Sequence, residues 1–538
     1  MAEKTEKTVQ PAGDEPLVER GDTQLLAALG YKQELRRHYS TVQVFAIAFS
    51  IMGLLPSIAS TLSFSIPAGP VGMVWASLSS QVSRLTMVHK KADLASAMPT
   101  AGGLYFWTHY FSGEKWKNPL SFVVGYSNTI GLIGGVCSVD YGFATMLLAI
   151  ISVARDGNWS ASRPVVYGTY AGCVVVHGFI ATFFARIMPK IQSVCIVTNI
   201  GLVLATVLAL PIGKVVNGGT INSGKYVFGQ LENSTTWPSG WAFILAWLSP
   251  IWTIGAFDSC VHMSEEATNA AHAVPLGILW SSGLCGILGF FSLAVIAAVI
   301  NTDLDAVMNT TFGQPMAQIY YDCLGKPGAL GFMAVVAIVQ FFMGLSLVVA
   351  ASRQSWAFSR DGALPFSSFF RHVSKRVRFQ PVRMIWGVVV AAILIGLLSL
   401  INAAASNALF SLAVAGNDLA WMMPILCRLI WGQERFKPGV FYTGRFSKPI
   451  AVTAVVYLIF AIILCMFPNP GPNPTPDDMN YTVVINSALW GGALLYYLLY
   501  ARKIYKGPQA TMHSESSSST PSETNFESLR VESEKVVT

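Results

Sequence analysis

Runs of about 20 apolar residues recur along most of this chain. A run of that length crosses the hydrocarbon core of a bilayer as a helix, where every backbone N–H and C=O must be bonded inside the protein. The pattern predicts twelve spans, at 40–66, 67–92, 120–154, 163–184, 190–212, 240–263, 274–300, 328–353, 382–401, 404–430, 449–467 and 481–501. The third is long enough to tilt. Only 12% of the 538 residues are charged, 53% are hydrophobic and the mean hydropathy is +0.51. Soluble domains carry about 25% charged residues. The expected fold class is an all-α polytopic membrane protein. Residues 1–39 read as a cytosolic N-terminal tail, 40–501 as the membrane domain and 502–538 as a disordered cytosolic tail. No cleavable signal precedes the first span, which is expected to direct insertion. The net charge of +7 lies mostly in loops, which argues against nucleic acid as a partner.

Two of the spans are interrupted at their middles. The first carries Ser50-Ile-Met52-Gly53-Leu-Leu-Pro56-Ser57, and the sixth carries Ile254-Gly255-Ala-Phe257-Asp258-Ser. Glycine and proline weaken a helix, and broken backbone at membrane depth must face protein or water. Matching breaks in corresponding halves point to the substrate site of a secondary transporter. Spans 1–5 and 6–10 are then expected to form a 5+5 inverted repeat, with 11 and 12 appended. Amides at a half-helix N-terminus favour a carboxylate, and freed carbonyls suit an ammonium group or cation. Ser50, Met52, Gly53 and Gly255 are candidate binding positions on this ground.

Lys and Arg mark orientation. They gather in the even-numbered loops, as Arg186 and Lys190, then Arg353, Arg360, Arg371 and Arg383, then Arg435, Lys437, Arg445 and Lys448. Both termini are expected in the cytosol. Glycosylation triplets at Asn158, Asn233, Asn309 and Asn480 all fall in loops assigned to the outside. Of the eight cysteines, Cys323 is expected in an outer loop, Cys260 lies near the sixth-span break, and the remaining six lie in apolar spans. That distribution is no disulfide framework, and no Cys/His spacing suggests zinc. No metal, cofactor or nucleophile–base pattern points to an enzyme. The tail contains a serine run from Ser514, with Lys4, Lys7, Lys506 and Lys535 within reach of ubiquitin ligase machinery.

Ionisable residues inside spans are functional candidates by default. Asp140, near the midplane of the third span, suits amine pairing or proton exchange, or a structural hydrogen bond. Asp258 suits the same tasks or a simple N-cap. Asp418 is the third intramembrane carboxylate and a proton-coupling candidate. Trp252 and Phe257 flank the second break and suit a cation–π contact, or ordinary packing. His177 and His262 suit proton relay or packing, and Glu265 and Glu266 a salt-bridged gate. The second span fits poorly, because Ser77 to Lys91 is polar and Arg84 sits near its centre. Arg84 is expected to snorkel, to face the bundle interior or to act in the site, unless the translated sequence is in error there.

With these residues the chain resembles the amino acid/polyamine/organocation transporter superfamily, in its fungal branch of GABA (4-aminobutyrate), choline and polyamine permeases. The strings that carry the resemblance are LGYKQELRRHYS from Leu29, FSIMGLLPSIAS from Phe49, ASAMPTAGGLYFW from Ala95, CSVDYG from Cys137, SRQSWAFSRDGALPF from Ser352 and LFSLAVAGN from Leu409. Asp258 stands where the family's sixth-helix motif has glutamate, and Trp252 falls where relatives place a gating aromatic. Ala92-Asp93-Leu94 replaces Ala-Glu-Leu, and the polar 77–91 stretch replaces an apolar helix. Mid-helix 5 holds Asn199, where some relatives have lysine. The resemblance implies alternating access and proton-driven import of GABA or another amino acid at the plasma or vacuolar membrane. Choline or a polyamine is the alternative substrate, and a non-transporting nutrient sensor the alternative class.

Overall fold

The computed structural model describes residues 17–377, 379–476 and 479–508. Among these the chain is helical throughout, with two isolated β-bridges and no strand. Helix α1 covers Leu17–Ala28, α2 Thr41–Met52, α3 Leu54–Ser65, α4 Gly69–Ala97 and α5 Gly103–Phe111. Then follow α6 Lys117–Ala154, α7 Arg163–Phe183, α8 Met188–Val216, α9 Gly224–Gly229, α10 Ser239–Leu245, α11 Leu248–Thr253 and α12 Ser259–His262. The second half continues with α13 Ala270–Val299, α14 Leu304–Met308, α15 Pro315–Arg360, α16 Ser367–Phe370, α17 Val382–Gly396, α18 Ala403–Ile430, α19 Ser447–Leu464 and α20 Thr482–Leu499.

Ten helical stretches among the described residues are long and apolar enough to cross a membrane. The first of them, Thr41–Ala97, takes in α2, α3 and α4. The sixth predicted span contributes none, because its break leaves pieces too short to cross alone. The chain is thus an integral, polytopic, all-α membrane protein.

Helix α6 runs through the centre, packed on α15 and α18, while α4 packs on α13. Helices in lipid gain little from apolar contact alone, so close approach rests on small residues. At the α6–α18 crossing a Cβ on Gly416 would lie 2.9 Å from the Gly131 Cα, and one on Gly131 would lie 2.7 Å from the Asn417 side chain.

Several expectations change. Residues 17–39, read as part of a polar tail, contain α1 and a segment docked on the bundle. Asp22 accepts the N–H groups of Asn269 and Ala270 at 2.6 and 3.0 Å, and Arg37 donates to the carbonyls of Ser264 and Ala267. A separate short helical piece precedes the eighth span and joins it across a kink just before 328. Helix α15 starts at Pro315 and turns sharply at Gly325, whose φ of 68° only glycine adopts readily. Cys323 is therefore buried in a helix rather than placed in a loop, and all eight cysteines are buried and free. Chain order extends past 501, since Tyr505 is buried and meets the Ser121 hydroxyl at 3.1 Å. Lys506 is exposed. Lys4, Lys7, Lys535 and the serine run lie outside the described residues, as do the rest of 1–16 and 509–538.

Gly416→Leu is expected to destabilise the bundle by about 1–3 kcal/mol or more, because backbone rather than a movable side chain blocks the added atoms. Gly491→Leu, which meets nothing within 4 Å, serves as the control. Thermal unfolding in detergent should separate the two, and equal melting temperatures would discount this crossing.

Candidate substrate site

Helices α2 and α3 are one helix broken at Gly53. Its φ of 38° is left-handed, and a Cβ there would meet the Met343 sulfur at 2.7 Å. Both reasons call for glycine. Ser57 Oγ donates to the Met52 carbonyl at 2.5 Å and so bonds one group freed by the break. Ser50 Oγ lies 3.3 Å from Ser346 Oγ, which is hydrogen-bonded to Gln192. The second break separates α11 from α12. Ala256 takes a φ of 54°, costly for a residue with a Cβ. Thr61 on α3 bonds Ser249 and Thr253 on α11, at 2.9 and 3.4 Å, and ties the two broken helices together.

A small cavity of about 40 Å³ lies between the breaks, below the roughly 300–1,000 Å³ usual for small-molecule sites. Ile51 lines it from the first break, and Trp252, Thr253, Gly255 and Ala256 from the second. Gly135 and Val139 of α6, Met343 and Leu347 of α15, and Ala413, Val414, Asn417, Asp418 and Trp421 of α18 complete the wall, with Arg84 of α4. Trp252 packs on Phe410 at 5.1 Å between ring centres, and Phe257 packs on Trp421 at 4.7 Å.

Asp258 occupies the N-cap position of α12 but makes no side-chain cap bond. Its Oδ2 accepts from Asn128 Nδ2 at 3.3 Å and stands 3.4 Å from His262 Nε2. His262 Nδ1 is 3.0 Å from the Ala101 carbonyl. A carbonyl only accepts, so Nδ1 carries a proton. Nε2 then turns its lone pair on the carboxylate unless a further proton lies in the pair. The arrangement leaves room for one proton between the two buried groups.

Arg84 is 1% exposed and does not snorkel. Its Nη1 donates to the Ile251 carbonyl at 2.6 Å, and its guanidinium carbon lies 5.3 Å from the Trp421 ring centre. Lys91, fully buried, brings its ammonium to 5.2 Å from the same ring, with no hydrogen-bond partner for Nζ among the described residues. Deeper in the polar stretch, Lys90 bonds Asp93, Thr443 and Ser447.

Asp140 does not reach the cavity. It faces α7, where His177 Nδ1 stands 3.2 Å from Oδ2 and Cys173 Sγ 3.9 Å from Oδ1. These three residues are the set whose candidate metal-ligand atoms converge, within 4.8 Å of one another, among the described residues. Ser50, Met52, Gly53, Phe257 and Asp258 are buried behind the cavity wall, whereas Trp252, Gly255 and Asp418 line it. Sequence reasoning missed Asn128, Asn417 and Trp421. Their spacing resembles ordinary packing, and only the crossing of α6 and α18 gathers them.

One end of the bundle is sealed by ion pairs. Arg360 forms a forked pair with Glu265 at 3.0 and 3.2 Å, and Arg353 Nε reaches Glu266 at 2.8 Å. Glu265 also accepts the Ala101 N–H at 3.2 Å. Tyr31 and Tyr105 donate to Asp361 at 3.2 and 2.7 Å. Burial, then the Asp361 carboxylate, holds both phenols well above their ordinary pKa, so they remain donors. The strings from Leu29, Ala95 and Ser352 thus meet in one seal. The four glycosylation triplets lie in loops that touch in pairs. Ser152, in the helix leading to the Asn158 loop, donates to Thr311 beside Asn309, and the Thr236 N–H, near Asn233, donates to Pro470 in the loop of Asn480. Asn158 and Asn309 are exposed, while the Asn233 and Asn480 amides bond neighbouring carbonyls.

A buried cavity between two half-helix breaks, closed at one end by ion pairs, belongs to a secondary transporter of a small solute. The family model described as amino acid permease matches residues 39–489, and the chain belongs to that family. A GABA-specific permease of Saccharomyces cerevisiae is 45% identical over 493 residues, 91% of this chain and 86% of that protein. An uncharacterized amino-acid permease of Schizosaccharomyces pombe is 34% identical, over 91% and 90% of the two chains. Amino-acid permease 2 of Neurospora crassa is 28% identical, over 91% and 89%. Among solved structures, a manganese transporter of Eremococcus coleocola shares the fold alone, with a TM-score of 0.50 and 12% identity over 91% of this chain and 97% of that one.

Removing one partner of a buried ion pair costs about 3–5 kcal/mol. Glu266→Gln is therefore expected to open the sealed end. In a Ser264→Cys background, maleimide labelling from that side should accelerate about tenfold or more. Unchanged labelling would mean the pair does not hold the seal.

Proposed function

We propose that this chain imports 4-aminobutyrate, or a closely similar amino acid, by proton symport and alternating access. The observation that carries the substrate is the 45% identity with a GABA-specific permease over 91% of the chain. The cavity supports it in kind, being small, partly apolar and lined by charges of both signs. We read the membrane domain as twelve spans, with 1–5 and 6–10 as an inverted repeat and the two breaks as its matched elements. On this reading the sealed end and both termini face the cytosol and the paired glycosylation loops face outward, as the basic loops require, with the plasma membrane as the site of action.

The substrate lies between Ile51, Trp252, Gly255 and Met343, with the half-helix end at Gly255 supplying backbone groups and the break at Gly53 shaping the wall behind Ile51. Ser50 and Met52 fix the first break, and Phe257 braces Trp421 behind the cavity. Asp258 and His262 carry the coupling proton. The pair adjoins the break that must move, and its tautomer leaves room for one proton. Asp418 pairs with the substrate ammonium. Asp140, held by His177, links α6 to α7 and stabilises the scaffold around the moving helices.

Labelled 4-aminobutyrate uptake is expected to rise with external acidity and to collapse with a protonophore. Unlabelled 4-aminobutyrate should compete more strongly than proline, choline or putrescine. Better competition by choline or putrescine would replace the substrate. Sodium dependence would replace the coupling ion, and would point to the first break and Ser346.

Asp258→Asn is expected to lose concentrative uptake while retaining 4-aminobutyrate exchange in proteoliposomes, because exchange moves no net proton. Wild-type accumulation by this variant would remove Asp258 from the coupling role.

A further inference from the structure

Two opposite charges face one cavity from different helices. Arg84 of α4 and Asp418 of α18 both line it, each 1% exposed. Among the described residues no ion pair of 4.0 Å or less joins them, and Asp418 Oδ2 has no hydrogen-bond partner. Asp418 feels Arg84 and the Lys91 ammonium only at a distance, and a ligand that bonds Arg84 and Asp418 directly would complete what that distance leaves unmade.

An α-amino acid carries its ammonium and carboxylate on one carbon, so the ends of a single half-helix break can hold both. Two separated side-chain charges suit a different solute. We propose that Arg84 and Asp418 form a two-ended clamp for an ω-amino acid, with the carboxylate on the guanidinium and the ammonium on Asp418. The inference rests on the functional reading above and specifies how that site would recognise its substrate.

The surroundings of each end fit the assignment. Arg84 Nη1 is anchored on the Ile251 carbonyl and the guanidinium also meets the Tyr457 hydroxyl, which orients the planar fork, while Nε has no hydrogen-bond partner among the described residues. The Trp421 indole beneath it fixes the plane further. The same cavity has an apolar part to its wall, with Val139, Met343, Leu347 and Val414. That part of the lining suits methylenes. The charge at the centre of the second span thereby gains a purpose that an apolar helix could not serve.

The test uses the full-length permease in vesicles, with labelled 4-aminobutyrate and the competitors glycine, β-alanine, 5-aminovalerate and n-butylamine. In the wild type, β-alanine and 5-aminovalerate should compete and glycine should not. Arg84→Gln should raise the apparent KM for 4-aminobutyrate about tenfold or more, the scale of a lost charge-assisted hydrogen bond. Inhibition by n-butylamine, which has no carboxylate, should persist in this variant. Asp418→Asn should weaken both ligands. Arg84→Lys, which keeps the charge, should fall between wild type and Arg84→Gln, and decides the matter should Arg84→Gln fail to reach the membrane. An unchanged KM, equal loss of 4-aminobutyrate and n-butylamine, or glycine competing as well as β-alanine would overturn the clamp. Lack of 4-aminobutyrate uptake by the wild type would count against the proposed substrate instead. The clamp is then judged by thermal stabilisation of the purified wild type, where 5-aminovalerate should exceed n-butylamine and equality would sink it.

Discussion

Backbone hydrogen bonding sets the terms for this fold. In hydrocarbon an unbonded amide or carbonyl costs several kcal/mol, so a helix can break only where protein or a cavity receives its loose ends. Gly53 and the Ile254–Asp258 segment do break, and both are enclosed. Ser57, Thr61, Ser249 and Thr253 use short hydroxyl side chains to bond and bridge the half-helices. The central cavity exists because two helices stop and restart beside each other. Close packing of α6 on α18, at Gly131 and Gly416, then brings the opposite wall near enough to enclose it.

Charge placement follows the same economy. Near the sealed end, acids and bases are matched at hydrogen-bonding distance, as in Arg360–Glu265 and Arg353–Glu266. Around the cavity the matching loosens. Arg84 leans on a carbonyl and an indole, and the Lys91 ammonium lies beside the same indole. A seal gains from tight pairs because they must hold, whereas a site gains from loosely matched groups because a ligand can complete them.

Much of the fold was legible in the sequence because membrane helices announce themselves by length and apolarity. The breaks at Gly53 and Gly255 were legible because glycine and proline interrupt otherwise continuous runs. The docked segment 17–39 was not legible. It is polar and attaches through backbone groups near Ser264 and Asn269 that have no sequence signature. The pairing of Asp140 with His177, and of Asp258 with His262, needed the structure. The first joins residues far apart in sequence. The second depends on which ring nitrogen the Ala101 carbonyl occupies. Arg84 was visible as an oddity, but its direction was not. Periodicity on a helix with polar residues on several faces does not identify the inward one.

The segment preceding the first broken helix is fastened to the end of the second. Tyr39 pairs with Ala267, the backbone N–H groups of His38 and Tyr39 donate to the Glu266 carbonyl, and Asp22 receives the first amides of α13. The chain's leading segment therefore acts as a strut between the two interrupted helices rather than as a loose end. Tension or bulk applied ahead of α1 would be delivered mechanically to the stretch between α12 and α13.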